Sequence, residues 1–226
     1  MHWLDPEYLP EVAGSVDRFL LNPRGDADGM LLTDGREIHF PPHLSDVVLE
    51  AVGRGDPITV RGVRPRSGAL VAAVMIVTSQ GKRIVDRGPA RDDKERKKVR
   101  KHGPEAERKP MQVEGVMRRA LHGPKGETRG ALLENGQLIR FPARAAERIA
   151  ELLSAGAPVA VRGEGLVTAF GSVVEAREIG RSIDTLLPLN TKPLKAKPAK
   201  AKAPKHASSP PKPTKDGKVD VRAPAD

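Results

Sequence analysis

The chain of 226 residues carries 39 lysines and arginines against 29 aspartates and glutamates, and its formal net charge is +10. Such an excess attracts polyanions, so nucleic acid or an anionic membrane surface is the first class of partner to consider. The sequence has no cysteine, which excludes disulfide frameworks, cysteine-ligated zinc and thiol catalysis. No apolar run reaches the length of a membrane span and the first residues lack the pattern of a secretory signal, so a cytoplasmic protein is expected.

A gapless internal repeat organises the sequence. Residues 12–63 and 113–164, offset by 101 positions, are identical at 19 of 52 aligned positions. Most of the identical positions carry glycine, proline or an apolar residue, the types that form turns and fill cores. The pattern therefore predicts one small domain that occurs twice in the chain.

Both copies contain the same order of predicted elements. The first copy has five predicted strands, at residues 12–21, 30–33, 36–40, 58–62 and 69–77. Apolar residues recur at helical spacing between the third and fourth strands, which predicts one helix there. Asp34-Gly35 and Asn135-Gly136 separate the second strand from the third, and such pairs are typical of a type I′ hairpin turn.

The third strand indicates which of its faces points inward. Ile38 and Phe40 share one face, which is expected to fill the core, whereas Glu37 and His39 share the opposite, polar face. Phe141 matches Phe40 in the second copy, so both rings are expected inside their domains. No surface for stacking bases is predicted from these aromatic residues.

The order of three strands, one helix and two strands resembles the OB-fold (oligonucleotide/oligosaccharide-binding) superfamily. Within it, the repeat is similar to small bacterial OB domains with a glycine in the first strand, an Asp/Asn-Gly hairpin and a late Val-Arg-Gly. The resemblance implies an all-β fold with one helix per domain, built as two tandem five-stranded OB-like barrels. SH3-like barrels, which lack a helix at that place, are the competing topology.

Composition divides the chain into five segments. An N-terminal segment at 1–11 precedes the first OB-like domain at 12–85, and a charged linker at 86–110 leads to the second OB-like domain at 111–190. The tail at 191–226 is rich in lysine, proline and alanine, is similar to linker-histone tails, and is predicted to be disordered. The linker holds 10 basic and 6 acidic residues and the tail 10 and 3, so both predicted barrels are nearly neutral.

The OB-fold resemblance implies that a ligand binds across the outer face of strands two and three and the adjoining loops. That face would present Arg36 and His39 in the first copy and Gln137 and Arg140 in the second. Arg24 and Lys125 occupy matched positions in the first loop. These side chains can neutralise phosphates, although a barrel exterior also carries charge for solubility.

Two further arginines recur in the repeated Val-Arg-Gly and are expected to point away from the core. Arg61 and Arg162 either contact phosphate or pair with a carboxylate across a strand. Lysines of the tail are expected to bind by counterion release without sequence specificity. The predicted tail contacts are Lys192, Lys195, Lys197, Lys200, Lys202 and Lys205.

Other chemistry finds little support in the sequence. His39 and His43 stand four residues apart, but the prolines between them preclude a shared helical face and no third ligand accompanies them. Phe170 has no aromatic counterpart. No nucleophile with a matched base, no phosphate loop and no acidic pair emerges, so no catalytic residue, metal or cofactor is predicted.

These observations predict a non-enzymatic nucleic-acid-binding protein of low sequence specificity, whose partner is single-stranded DNA or RNA and not a membrane. The alternative is a protein-interaction adaptor built on the barrels, in which the tail only localises the protein to nucleoid or ribosome. An enzyme or accessory subunit of an RNA-modifying complex is a third class. DNA and RNA are not distinguished, because that choice depends on contacts to the 2′-hydroxyl.

Overall fold

The computed structural model describes residues 5–65, 70–88 and 108–189. The predictions made for the tail, including its six lysines, and for most of the linker fall outside the described residues. No helix within the described ranges is both long enough and apolar enough to cross a membrane.

The first repeat forms a closed barrel. β1 pairs antiparallel with β2 and with β4, β2 with β3, and β4 with β5, while a parallel pairing of β3 with β5 closes the circle. A short helix, α1, follows a turn of 3-10 helix at Pro42–Leu44 and lies between β3 and β4. The elements are β1 (Glu11–Leu21), β2 (Ala27–Leu32), β3 (Glu37–His39), α1 (Ser45–Ala51), β4 (Pro57–Val63), β5 (Leu70–Thr78) and β6 (Arg83–Val85).

The second repeat closes in the same way, through a parallel pairing of β9 with β11. A 3-10 helix at Ala143–Leu153 replaces α1, and Ala145 and Ile149 are buried on its inner side, as the helical spacing predicts. The strands are β7 (Lys109–His122), β8 (Thr128–Leu133), β9 (Leu138–Arg140), β10 (Pro158–Thr168), β11 (Gly171–Gly180) and β12 (Leu187–Pro188), and two further 3-10 turns lie at Pro6–Tyr8 and Ile183–Thr185. The predicted fold class, two tandem five-stranded OB-like barrels, is confirmed.

The hairpins between strands two and three differ from the predicted type I′ turn. That turn needs positive φ at both central residues, but only Gly35 (φ 86°) and Gly136 (φ 85°) have it. Gly35 N–H donates to Leu32 O at 2.9 Å, and Leu32 N–H donates to Arg36 O at 2.9 Å. The loop is therefore a three-residue turn that ends on a left-handed glycine, and the prediction of a two-residue turn is wrong.

Strands two and three of each barrel are buried on both faces. Every residue of β3 and of β9 is buried, whereas β4 alternates between buried and less buried positions. One face of these strands lines its own barrel, and the other face packs against the other barrel. The two barrels share an apolar cluster and form one compact unit. The second barrel contributes Leu121, Leu132, Leu138, Leu166 and Val173 to that cluster.

A close approach of two paired strands explains the glycine of the repeated Val-Arg-Gly. The pairing of strands four and five shifts register between Arg61 and Gly62, and again between Arg162 and Gly163. A Cβ atom added at Gly62 would lie 2.2 Å from Ala72 O, and one at Gly163 would lie 2.0 Å from Glu175 O. Only glycine lets the two strands approach so closely.

Candidate nucleic-acid interface

The matched first loops of the two barrels present two free cations. Arg24 and Lys125 are exposed, and neither side chain forms an ion pair within the described part of the chain. Asn22 Oδ1 accepts the Arg24 N–H at 2.8 Å, and Glu127 Oε2 accepts the Lys125 N–H at 3.1 Å, so side chains shape both loops. Both residues lie where a polyanion can reach them, and their role in binding stays a prediction.

The recurring arginines of strand four pair with carboxylates. Arg61 forms ion pairs with Glu7 at 3.1 Å and with Glu11 at 2.9 Å, and Arg162 pairs with Glu178 at 2.9 Å. Of the two roles considered from the sequence, the structure shows the cross-strand ion pair, and contact with phosphate stays a prediction.

Arg36 is engaged within its own hairpin. It forms an ion pair with Asp34, and its Nη2 donates to Ala13 O at 2.7 Å. These contacts hold the guanidinium between the hairpin and β1.

The other two predicted contact residues lie between the barrels. His39 is 5% exposed and Arg140 is 7% exposed. Arg140 donates from Nε to Leu21 O at 2.9 Å and from Nη2 to Asp28 Oδ1 at 2.7 Å. The prediction that this face of strand three is exposed to solvent is wrong, because the neighbouring barrel covers the face. Burial raises the pKa of Asp28 against the opposing attraction of Arg140.

Glu37 is the centre of a buried ion cluster that joins the barrels. Its side chain is 1% exposed and accepts from Arg119 Nη2 at 3.1 Å and from the His122 backbone N–H at 2.9 Å. His122 Nδ1 lies 2.9 Å from Glu37 Oε1, and His39 Nε2 lies 3.5 Å from Oε2. Burial alone would raise the pKa of Glu37, but the bonds from His122 and His39 outweigh it and lower that pKa to about 2.

The cluster predicts a stability optimum in mildly acidic solution. The bond to Glu37 raises the pKa of His122 against its burial, so its contribution is full below pH 6.5 and is lost as pH rises through the raised pKa. Glu37, with a pKa lowered from 4.5 to about 2, contributes fully above pH 4.5 and loses its contribution as pH falls further. We therefore expect the cluster to raise the melting temperature most between pH 4.5 and pH 6.5, which circular dichroism at a series of pH values measures.

A variant separates this cluster from other titrating groups. His122→Gln removes the titrating ring, so the fall in melting temperature from mildly acidic to alkaline solution is expected to become smaller than in the wild type. An unchanged pH profile in this variant contradicts the assignment to His122.

A cationic cluster lies on the opposite side of the barrel contact. Asp17 is surrounded by three guanidinium groups, from Arg18 at 3.1 Å, Arg118 at 3.6 Å and Arg54 at 4.0 Å. Three positive charges thus face one negative charge, and Arg54 is 68% exposed. Because Asp17 and Arg118 occupy equivalent positions of the repeat, the two copies meet here through the same element.

A cleft of about 350 Å³ opens beside this cluster. Barrel one contributes Arg18, Phe19 and Arg54, and barrel two contributes the turn at 135–138 and the segment Phe170, Gly171 and Ser172. Phe170 is 43% exposed, and its ring meets Phe19 edge to face, with ring centroids 5.9 Å apart at 87°. The sequence predicted no role for Phe170, because the residue has no aromatic counterpart in the repeat. In the structure its aromatic partner is Phe19 of the other barrel.

A second cleft, of about 320 Å³, lies between the two first loops. Its lining includes Asp28 and Arg140, which pair with each other, and Glu175, which pairs with Arg108. This cleft is therefore closer to charge balance than the cleft beside Asp17. Among the described residues no group of three histidines and carboxylates is arranged to hold a metal ion, and His43 pairs with Asp86 at 3.0 Å.

No family model matches the sequence, and no curated protein matches it. Among solved structures, the wild-type single-stranded DNA binding protein from Thermus aquaticus is similar over 76% of this chain and 91% of its own, at 16% identity and a TM-score of 0.25. A deletion mutant of that protein is similar over 79% and 95%, at 15% identity and the same TM-score. A TM-score of 0.25 is too low to transfer a function, and the fold assignment depends on the strand order described above.

Proposed function

We propose that the protein is a non-enzymatic nucleic-acid-binding protein that prefers single strands with little sequence specificity. The main observation that supports this proposal is the distribution of charge along the chain. Most arginines that the repeat pattern indicated pair with carboxylates of the folded part, while the stretches 86–110 and 191–226 carry +4 and +7 and the rest of the chain −1, for the net charge of +10. Basic stretches of this composition bind phosphate backbones through counterion release. Association with nucleoid or ribosome in the cytoplasm is part of this proposal.

The barrels add a weaker, localised contribution. The cluster of Arg18, Arg54 and Arg118 around Asp17 is a net cationic site on the folded part, and Arg24 and Lys125 are free cations elsewhere on it. Weak sites on one chain strengthen each other when the connecting segments allow simultaneous contact. Electrostatic contact with the backbone is thus expected to dominate the affinity.

Neutralising the six tail lysines tests the proposal. In a variant with Lys192, Lys195, Lys197, Lys200, Lys202 and Lys205 changed to glutamine, the slope of log Kobs against log salt concentration is expected to fall in magnitude by about 4 if each lysine contacts one phosphate of a single strand. The measurement is fluorescence anisotropy with labelled single-stranded DNA, RNA and duplex across a salt series.

The matched control changes the same six lysines to arginine, which keeps the charge and should keep the slope. Absence of binding by the full wild-type chain, even at low salt, overturns the proposed function and favours the protein-interaction adaptor. Equal slopes for the glutamine and arginine variants would show that the tail makes no phosphate contact.

A further inference from the structure

We propose that the cleft beside Asp17 binds one nucleotide of a single strand, with an unpaired base on Phe170 and a phosphate on Arg18 and Arg54. The inference builds on the proposed function and names the site on the folded part. The site is composite, because the aromatic ring comes from barrel two and the two cations come from barrel one.

The aromatic side of the cleft is built for a flat ligand. Phe170 lies in the turn between β10 and β11, where its N–H donates to Thr168 Oγ1 at 3.1 Å and the Thr168 hydroxyl donates to Gly171 O at 3.1 Å. Phe19 contacts the Phe170 ring edge to face, and the residue Phe170 stays 43% exposed. A base that stacks on the exposed part meets a ring already held in place, which reduces the ordering cost of binding.

The cationic side follows from a comparison of the two copies. Arg119 donates from Nη1 to Gly35 O at 2.7 Å and is neutralised across the barrel contact by Glu37 at 3.1 Å. Arg18 is its equivalent and meets the equivalent hairpin, since a Cβ added at Gly136 would lie 3.2 Å from Arg18 Nη1. At the position that corresponds to Glu37, however, the second barrel carries Leu138. Arg18 therefore lacks the inter-barrel carboxylate that Arg119 has.

The remaining carboxylate does not neutralise the site. Asp17 is shared by Arg18, Arg54 and Arg118, so the cluster keeps an excess of positive charge. Arg54 donates from Nε to Asp17 O at 2.8 Å, which fixes the guanidinium at the edge of the cleft while leaving most of it exposed. A phosphate diester carries the charge and the acceptor oxygens that such a cluster binds.

The size of the cleft indicates what enters it. A volume of about 350 Å³ lies near the lower end of small-molecule sites, which suits a single nucleotide unit and not a base pair within a helix. A base paired in a duplex also has no free face for Phe170. The site is therefore specific for single strands, in contrast to the basic stretches, which bind any phosphate backbone.

The experiment compares full-length Phe170→Ala and Phe170→Leu with the wild type, using labelled oligothymidylate, oligouridylate and a DNA duplex at one low salt concentration. Loss of the stack is expected to weaken binding of single strands about 5- to 150-fold, while duplex binding stays within about twofold. Phe170→Tyr keeps the ring and should retain the wild-type affinity. Because thymine carries a methyl group that uracil lacks, oligodeoxyuridylate is added, and its comparison with oligouridylate distinguishes DNA from RNA as the occupant.

A second pair of variants tests the cations. Arg54→Gln is expected to weaken single-strand binding about 3- to 10-fold and to lower the magnitude of the salt slope by about 0.7. Arg177→Gln is the matched control, because Arg177 is similarly exposed but pairs with Glu164 and lies outside the cleft. That variant should bind like the wild type.

The outcomes separate the two proposals. If the wild type binds oligonucleotides and Phe170→Ala and Arg54→Gln bind them equally well, the proposed nucleotide site is overturned. The proposed function is not affected by that result. Parallel losses of single-strand and duplex binding in Phe170→Ala, together with a lower melting temperature, assign Phe170 a structural role and also overturn the site. Wild-type chain that binds no oligonucleotide overturns the proposed function itself.

Discussion

Replacement of Glu37 by alanine is expected to lower the free energy of unfolding by about 3–5 kcal/mol. The side chain is almost fully buried and accepts hydrogen bonds from Arg119 and His122, which are themselves partly exposed, so its removal leaves these two groups without their anion. Desolvation of an unpaired charge is the dominant cost in such a site. Urea unfolding followed by circular dichroism measures the change.

The repeat supplies the control for this prediction. The positions that correspond to Glu37 and His122 in the other copy are Leu138 and Leu21, an apolar solution to the same contact. The double variant Glu37→Leu/His122→Leu copies that solution and is expected to recover most of the stability that Glu37→Ala loses, since well-packed apolar groups replace buried ion pairs at little cost. A loss below 1 kcal/mol in Glu37→Ala contradicts the central role of this carboxylate.

Replacement of Gly163 by alanine is expected to lower the free energy of unfolding by about 3 kcal/mol. The added methyl group would overlap Glu175 O, a backbone atom that moves only if the pairing of β10 with β11 is disturbed. The same change at Gly62 should have a similar effect on the first barrel, where Ala72 O is the obstacle. Thermal and urea unfolding measure both variants.

Gly53→Ala is the matched control for these glycine variants. The nearest atom to its added Cβ is Asp56 Oδ2 at 3.4 Å, so the change should alter stability by less than about 1 kcal/mol. If Gly163→Ala were as stable as Gly53→Ala, the close approach of the paired strands would not explain why glycine follows arginine in both copies.

The fold follows from the sequence because its signals are local and occur twice. Ile38 and Phe40 alternate with polar residues and belong to the apolar core cluster, and the glycine of the Val-Arg-Gly marks the close approach of two paired strands in both copies. Turn geometry was less accessible, since Asp34-Gly35 suits both a two-residue and a three-residue loop and φ at Asp34 decides between them.

The site was less predictable, because alternation along one strand does not indicate what covers its outer face. His39 and Arg140 have the sequence pattern of surface residues, yet in each case the other barrel of the chain helps to bury them. Phe170 and Arg54 lie far apart in the sequence and meet at one cleft only through the contact between barrels. The signal for the contact between barrels lies in the positions at which the two copies differ. Glu37 and Leu138 are equivalent positions, and only Glu37 pairs with an arginine of the other barrel.

The ion pair of Asp17 with Arg118 has a consequence for how one copy recognises another. Equivalent residues that touch lie beside a local twofold axis, and two identical copies would there oppose Asp17 to Asp17 or Arg118 to Arg118. Like charges at that point disfavour pairing of a barrel with its own kind and favour pairing with its sister on the same chain. At this ion pair the duplicated halves are thus complementary to each other and not to themselves, so its charges favour the contact within one chain over the same contact between two like barrels.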